Sequence, residues 1–241
     1  MVDLLCGWYD VEVAAKCREA VDFRLCKSDS YVLEVGFGRG HGIGYALERI
    51  IGGKGMVFGA EKSHYMHEVT RKKYVIEIDD SKLQLNMVMD LRHMPYPSDF
   101  FHGIFHVDLF YFLGQPSMID ICREFNRILL PDGKLICTLQ MARLKKMESW
   151  GLLTASQCDP MRYLSTLEPA GFVDVQMKYV KDPSRGEFQL ISARKPQAND
   201  SYFDPEHRMK ELEKEIKMEM LRQKILAAGR NVTEEELKEF K

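Results

Sequence analysis

The sequence predicts an α/β fold with a mainly parallel seven-stranded sheet, helices on both faces and an antiparallel closing hairpin. Three observations predict it. Short apolar segments alternate with segments of helical periodicity between residues 31 and 139. A glycine-rich turn joins the first strand to its helix, and the last two strand-like segments follow each other with no helix between them.

The predicted strands are short, apolar and rich in β-branched or aromatic residues. The third of them alternates Leu, Val and Met, and the last two are joined by the turn-rich segment 182–186, which predicts their antiparallel pairing. In order they are Tyr31–Val35, Met56–Ala60, Leu83–Met89, Gly103–Val107, Lys134–Leu139, Phe172–Val180 and Phe188–Arg194.

The predicted helices are bounded by capping and stop signals. Ser63 and Ser117 stand where an N-cap is expected, Gly52 and Gly171 stand where a helix ends, and the segment 131–133 (Pro-Asp-Gly) turns the chain into the fifth strand. The helices are Val11–Leu25, Ile43–Ile51, Ser63 to about Ile78, Ser117 to about Leu130, and Asp159–Ala170.

Composition excludes several classes of protein. The net charge is -2 with 29% charged residues, so no overall basic field would attract nucleic acid. The sequence contains no apolar run of about 20 residues, and Met1–Lys16 lacks the layout of a signal peptide. We therefore expect a soluble, cytoplasmic protein. The six cysteines show no metal-ligand spacing, so we expect reduced, mostly buried thiols and no metal site.

A change of composition after Pro196 predicts a domain boundary, with one domain over residues 1–196 and a charged helical extension over residues 197–241. Asp204 and Pro205 can begin a helix, and Thr233 with Glu236 forms the capping box of a second one. Apolar residues lie near one face of the first helix, which suggests a protein partner or self-association: Met209, Leu212, Ile216, Met220 and Leu221.

The glycine-rich turn after the first strand indicates a ligand site, because backbone N–H groups and a helix N-terminus can approach a polar ligand there. The dinucleotide fingerprint G-x-G-x-x-G does not fit, since His41 or Ile43 stands where its third glycine would be. A nucleotide-dependent oxidoreductase is disfavoured on this ground.

The pattern Glu34-x-Gly36-x-Gly38-x-Gly40 resembles the signature of class I S-adenosylmethionine-dependent methyltransferases, which have a Rossmann-like fold. Four further segments resemble the same family in order and spacing, and the likeness covers about two thirds of the chain. They are 58–66 at the second strand, 89–96 at the third, 99–105 at the fourth and 128–135 before the fifth.

The resemblance implies S-adenosylmethionine as the cofactor and a set of binding residues: Glu34, Gly36, Gly38, Gly40, Glu61, Lys62, Asp90, Leu91 and Val107. By this resemblance the glycines admit the methionine portion, Glu34 orders its ammonium group through water, and Glu61 accepts bonds from the ribose hydroxyls. Each assignment also has a purely structural alternative: a glycine that permits helix–sheet packing, an acidic side chain that is simply solvated, or a residue that caps a loop.

The same resemblance implies that the Lys62 side chain covers the adenine ring. It also implies that the Asp90 carboxylate accepts a hydrogen bond from the adenine amino group, and that the Leu91 backbone forms a hydrogen bond with a ring nitrogen. The loop 107–113 would face the acceptor.

Candidate bases are His106, Asp108 and Tyr111, although methyl transfer needs a base only when the nucleophile must lose a proton. Motifs for amide-nitrogen, adenine-nitrogen and pyrimidine C5 chemistry are missing, so we expect a small-molecule acceptor. A catalytically inactive cofactor-binding module that acts through partners is the alternative. Several aromatic residues either line an acceptor pocket or belong to the core: Trp8, Tyr9, Phe105, Phe110, Tyr111 and Phe112.

Overall fold

A computed structural model of the chain describes residues 16–21, 27–182 and 186–197, together with residues 209, 213, 216, 217 and 220 of the C-terminal extension. The chain divides into two compact units, Met1–Pro196 and Gln197–Lys241. The first unit contains the sheet. In the second, residues 209, 213, 216, 217 and 220 are helical and exposed. Trp8, Tyr9 and the Thr233 capping box lie outside the described residues.

One mixed sheet of seven strands forms the first unit, as the sequence predicts. Its spatial order is β3-β2-β1-β4-β5-β7-β6, in which β1 to β5 are parallel and β7 is antiparallel to both β5 and β6. The strands are β1 (Tyr31–Val35), β2 (Met56–Glu61), β3 (Leu83–Met87), β4 (Phe101–Val107), β5 (Leu129–Leu139), β6 (Val173–Asp182) and β7 (Gly186–Arg194).

The segment 131–133 is the main departure among the strands. It was predicted to be a turn before β5, but the structure includes it in that strand. Asp132 there has a positive φ of 68°, and the pairing of β4 with β5 shifts register opposite it. A bulge of this kind bends a strand and lets turn residues stand inside it.

Helices cover both faces of the sheet. Residues 16–21, which precede β1 in the sequence, are also helical. The helices are α1 (His41–Ile50), α2 (His64–Lys73), α3 (Val75–Asp79), α4 (Gln115–Ile128), α5 (Met141–Ser149), α6 (Ala155–Cys158) and α7 (Met161–Leu167), with a 3₁₀ turn over Phe110–Phe112. The helices α5 and α6 have no counterpart in the sequence prediction.

The two predicted serine caps have different outcomes. The Ser63 side chain accepts a hydrogen bond from the Met66 N–H, which confirms it as the N-cap of α2. Ser117 is wrong as an N-cap, because Gly114 holds that position in α4 and the Ser117 hydroxyl instead donates to the Gly114 carbonyl at 3.2 Å.

Alternate residues of the central strands supply two apolar cores, one on each face of the sheet. Leu33 and Ile104 belong to the core beneath α4 and α7, whereas Val32 and Phe105 belong to the core beneath α1. Strands buried on both faces are near-continuous apolar runs, and β1 and β4 follow this pattern except for Glu34 in β1 and for His102 and His106 in β4.

The strand order reverses between β1 and β4, although the two strands are parallel. From β1 the chain continues to β2 and β3 on one side, and from β4 it continues to β5 on the other. Connections that leave in opposite directions open a crevice at the carboxyl ends of these two strands, and ligands of open α/β sheets bind in such crevices.

The described cysteines, Cys17, Cys122, Cys137 and Cys158, are free and buried, and burial raises the pKa of each thiol. Within the described ranges no helix is long and apolar enough to span a bilayer. Nor do His, Cys, Asp and Glu side chains cluster there in groups that could hold a metal ion.

We predict that a chain ending at Pro196 folds by itself, because the first unit contains the whole sheet and both apolar cores. Denaturant unfolding should remain a single cooperative transition, with a midpoint close to that of the full chain. A broad transition, or the loss of native circular dichroism, would show that residues 197–241 are needed for the fold.

Candidate functional site

The turn after β1 is built from glycines in left-handed backbone conformations. Gly36, Gly38 and Gly40 have φ values of 73°, 50° and 73°, which side chains of L-residues rarely tolerate. Among the described residues, no atom beyond Gly38 and its two chain neighbours lies within 4 Å of the point where a Cβ of Gly38 would stand. The turn therefore presents bare backbone to open space at this residue.

Helix α2 and its C-cap residue Tyr74 form hydrogen bonds with the glycine turn. The Tyr74 hydroxyl donates to the Gly40 carbonyl at 2.7 Å, and the Thr70 hydroxyl donates to the Gly38 carbonyl at 2.9 Å. A Cβ at Gly40 would stand 2.7 Å from Thr70 Cγ2 and 2.9 Å from Tyr74 Cε2. Gly40 thus serves the packing of the turn, and it lines neither of the two cavities described below.

Glu61 ends β2 with its carboxylate held by backbone N–H groups. Its Oε2 accepts from Gly38 N at 3.1 Å, and its Oε1 accepts from the N–H groups of Lys62 and Ser63, each at 2.9 Å. The carboxylate therefore ties the glycine turn to the start of α2 and holds a fixed orientation before any ligand is present.

Asp90 follows β3, and the side chain of Arg92 forms hydrogen bonds with its carboxylate. Arg92 Nε donates to both oxygens at 2.9 and 3.1 Å, and Nη2 donates to Oδ2 at 2.8 Å. These bonds hold the pKa of Asp90 below its usual range. An adenine amino group at Asp90 would share this carboxylate with Arg92.

Glu34 lies on β1 beneath the start of α1 and is 2% exposed. Gly42 leaves room for it, because a Cβ there would stand 2.2 Å from Glu34 Oε1. The Ile43 N–H donates to the carboxyl group, whereas Oε2 has no hydrogen-bond partner among the described residues. Burial raises the pKa of Glu34 to about 8, so this group is largely protonated at neutral pH.

A cleft of about 770 Å³ opens at the carboxyl ends of β1, β2 and β4. Of the nine residues implied by the resemblance, it brings together Gly36, Glu61, Lys62, Asp90, Leu91 and Val107. Apolar side chains line the rest of the cleft, among them Leu109 and Leu113 of the loop 107–113 and Ile121, which the sequence analysis did not single out.

A smaller cavity of about 100 Å³ adjoins the cleft, with Gly36, Val107 and Asp108 in the walls of both. Glu34, Gly38 and Cys17 also line the smaller cavity. The two spaces together therefore contain all the implied binding residues except Gly40.

The three candidate bases lie in different surroundings. His106 is fully buried and Nε2 bonds the Tyr163 hydroxyl at 2.8 Å, while burial lowers its pKa to about 3. Tyr111 is 1% exposed and lines neither cavity. Asp108 lines both, and its Oδ2 accepts from the buried Lys16 ammonium and from Arg143 Nη1.

The aromatic residues near the end of β4 are also of two kinds, some buried in the core and one lining the cleft. Phe105 and Phe110 are buried in the core, whereas Phe112 is 62% exposed and lines the cleft. Lys16 and Arg143 were not foreseen as parts of the site, because a cation on a helix with mixed charges carries no pattern that distinguishes it from a solvated one.

A family model described as "Methyltransferase domain" matches residues 32–133. No curated protein sequence matches the chain. Solved structures with the same fold include a SAM-dependent methyltransferase from Aquifex aeolicus, with 19% identity and a TM-score of 0.60 over 76% of this chain and 91% of that one. Geranyl diphosphate C-methyltransferase from Streptomyces coelicolor A3(2) has 13% identity and a TM-score of 0.60 over 75% and 80%.

The [4+2]-cyclase SpnF is also similar in fold, with 16% identity and a TM-score of 0.58 over 76% of this chain and 80% of that one. Structural likeness at such identities establishes the fold. Residues 32–133 are thus similar to a methyltransferase domain, and the chain has the fold of solved S-adenosylmethionine-dependent methyltransferases.

We predict that Gly40→Ala destabilises the fold more than Gly38→Ala does. Both substitutions strain a left-handed residue by about 1–2 kcal/mol. Only the Cβ at position 40 would also overlap Thr70 and Tyr74, which adds about 1–3 kcal/mol of overpacking. Free energies of unfolding from denaturant titration measure the difference, and equal losses would contradict the packing role assigned to Gly40.

We also predict that Glu34 makes stability depend on pH. Between the ordinary glutamic acid pKa of 4.5 and about 8, the folded chain keeps a proton that the unfolded chain has released. The stabilisation is complete below pH 4.5 and is lost as the pH rises to about 8, by at most about 1.4 kcal/mol per pH unit.

The control for this prediction is Glu34→Gln, which has no proton to lose. Between pH 5 and pH 7 the wild type should lose about 1–3 kcal/mol of unfolding free energy relative to the variant. Parallel pH profiles for the two proteins would mean that Glu34 is ionised in the folded chain.

Proposed function

We propose that the chain binds S-adenosylmethionine in the cleft and transfers its methyl group to a small-molecule acceptor. The observation that carries the proposal is the convergence of the glycine turn, Glu61 and Asp90 at one crevice of the sheet. These groups come from the ends of β1, β2 and β3, so that a ligand extended across them would meet all three.

The residues present fit such a cofactor. The open space over Gly38 leaves room for its methionine portion, and the unpartnered Oε2 of Glu34 supplies an acceptor for an ammonium group. The fixed carboxylate of Glu61 suits two ribose hydroxyls. When bound, the cofactor supplies a methyl group activated by the attached sulfonium.

A small-molecule acceptor is supported by the shape and polarity of the cleft. Beyond Val107 its walls are apolar, from Leu109, Phe112 and Leu113, and its volume lies in the range of small-ligand sites. The structurally similar geranyl diphosphate C-methyltransferase acts on a small molecule of mixed apolar and anionic character.

Positioning is the main task left to the protein in this reaction. His106 is sealed in the core and Tyr111 does not reach the cleft. Asp108 does reach it, but Lys16 and Arg143 occupy its Oδ2. The site is therefore best suited to an acceptor atom that offers a lone pair without first giving a proton to the enzyme, so that in-line alignment supplies the rate enhancement.

The same observations favour a second candidate function, a cofactor-binding module without catalysis. Two of the three candidate bases face away from the cleft, and a fold shared with a [4+2]-cyclase shows that the scaffold is not tied to one reaction. Binding alone does not separate this function from the first one, so the test must also follow the methyl group.

We predict that the purified chain binds S-adenosylmethionine, with little affinity for NAD, and that Glu61→Ala weakens this binding by about 1–3 kcal/mol. The variant removes the charged acceptor at the end of β2. Glu48→Ala, which removes an exposed carboxylate of α1 outside both cavities, is the matched control and should leave the affinity unchanged. Calorimetry measures all three proteins.

Incubation with methyl-labelled cofactor and a metabolite extract then separates the two functions. Label in a small molecule supports methyl transfer as proposed, and label confined to protein or RNA rejects the acceptor class. Tight binding without any transferred label favours the non-catalytic module. Binding of NAD in preference to S-adenosylmethionine would reject the proposal as a whole.

A further inference from the structure

The wall of the cleft after β4 is formed by the 3₁₀ turn and the residues that flank it. Leu109, Phe112 and Leu113 all line the cleft. Leu109 also packs against the glycine turn, because a Cβ at Gly36 would stand 3.2 Å from its Cδ1. A shift of the 3₁₀ turn would therefore change the shape of the cleft beside the glycine turn.

Packing alone does not fix the orientation of this turn. Its inner side chains, Phe110 and Tyr111, are buried in the core, whereas Phe112 is 62% exposed. Within the turn, the Phe112 N–H donates to the Leu109 carbonyl at 2.9 Å and the Leu113 N–H donates to the Phe110 carbonyl at 3.0 Å. Short 3₁₀ segments have poor hydrogen-bond geometry, and apolar packing is non-directional. Hydrogen bonds from elsewhere in the fold must orient the backbone.

Arg162 of α7 supplies such bonds. Its Nη2 donates to the Phe110 carbonyl at 3.2 Å and to the Leu113 carbonyl at 2.9 Å, so one nitrogen joins the start of the turn to the residue that follows it. Arg162 is only 9% exposed, and among the described residues no carboxylate forms a hydrogen bond with its guanidinium. Hydrogen bonds from a charged donor are stronger than those between neutral groups, and a buried charge without acceptors is costly.

The helix that carries Arg162 is firmly placed. Tyr163 and Leu167 of α7 are fully buried in the core beneath α4. Gln157 of α6 adds a longer bond, in which its side-chain amide donates to the Tyr111 carbonyl at 3.4 Å. A binding site is precise when the groups that touch its ligand are held by hydrogen bonds from behind. The contacts of Arg162 give the cleft wall this kind of support.

We propose that Arg162 is a positioning residue for the cofactor: it orients the 3₁₀ turn so that Leu109 and Leu113 present a fixed wall to the bound molecule. This inference rests on the proposed function and extends it. Arg162 lines neither cavity, so it acts through the turn and does not touch the ligand. Without it the wall would have to be ordered at each binding event, and that cost lowers affinity.

The test measures the affinity for S-adenosylhomocysteine by calorimetry on the full chain, at a temperature where circular dichroism shows each variant to be folded. Arg162→Met removes the donor and should weaken binding at least about tenfold. Arg162→Lys should restore most of the affinity, because both carbonyls accept from a single nitrogen. Lys195→Met is the matched control. Lys195 Nζ likewise donates to two backbone carbonyls, of Arg127 and Leu129, but Lys195 lines neither cavity, so its loss should leave the affinity unchanged.

The failures of the two proposals are distinguishable. If the wild type does not bind S-adenosylhomocysteine, the proposed function fails and takes this inference with it. If the wild type binds it and folded Arg162→Met binds equally tightly, only the inference is overturned. The inference is also overturned if Arg162→Lys or Lys195→Met loses as much affinity as Arg162→Met. Should Arg162→Met not fold, Arg162→Gln takes its place: its shorter, neutral side chain should still weaken binding, and wild-type affinity in that variant would overturn the inference.

Discussion

The site depends on the reversal of strand order between β1 and β4. Because the connections after these neighbouring parallel strands leave in opposite directions, their carboxyl ends are left uncovered by either connection. The glycine turn bends away from this gap within a few residues, with left-handed backbone at Gly36, Gly38 and Gly40. Asp108 leaves β4 on the other side of the gap, also with a positive φ.

Among the described residues, four carboxyl groups line the cleft and the adjoining smaller cavity, and each is stabilised differently. Backbone N–H groups hold Glu61, a guanidinium holds Asp90, and two cations hold Asp108. Glu34 has a single backbone donor and is kept largely protonated by burial. Differences in environment, rather than in residue type, therefore decide which acid is a fixed acceptor and which one can gain a charge when a cation arrives.

Sequence reasoning reached the parts of the fold that are locally encoded. The strands are apolar runs and Ser63 is a local capping signal, so both were predictable. Ser117 failed because Gly114 begins α4 one turn earlier, and a side chain that bonds backwards to the helix start is indistinguishable in sequence from one that caps it. Helices α5 and α6 were missed although local signals were present: α5 consists mostly of good helix formers, and α6 begins with a Thr154–Gln157 capping box but has only four residues.

Within the site, the residues carried over from the family resemblance follow strand ends, where local sequence is informative. Arg92 could have been noticed, since it stands two residues after Asp90 and a short acid–base spacing favours a local ion pair. Lys16 and Arg143 could not, because they meet Asp108 across 92 and 35 residues of chain, and only the tertiary fold brings them together.

These long-range contacts bear on how the ligand-free site is stabilised. Packed α/β cores hold the ends of β1, β2 and β4 in place, so the site need not be stable by itself. It can then keep a buried carboxyl group at Glu34 whose Oε2 has no hydrogen-bond partner among the described residues, at a cost in free energy. A ligand bearing an ammonium group would relieve that cost, so part of the affinity for such a ligand would come from the buried acid, whereas a neutral molecule of the same shape would leave the cost in place.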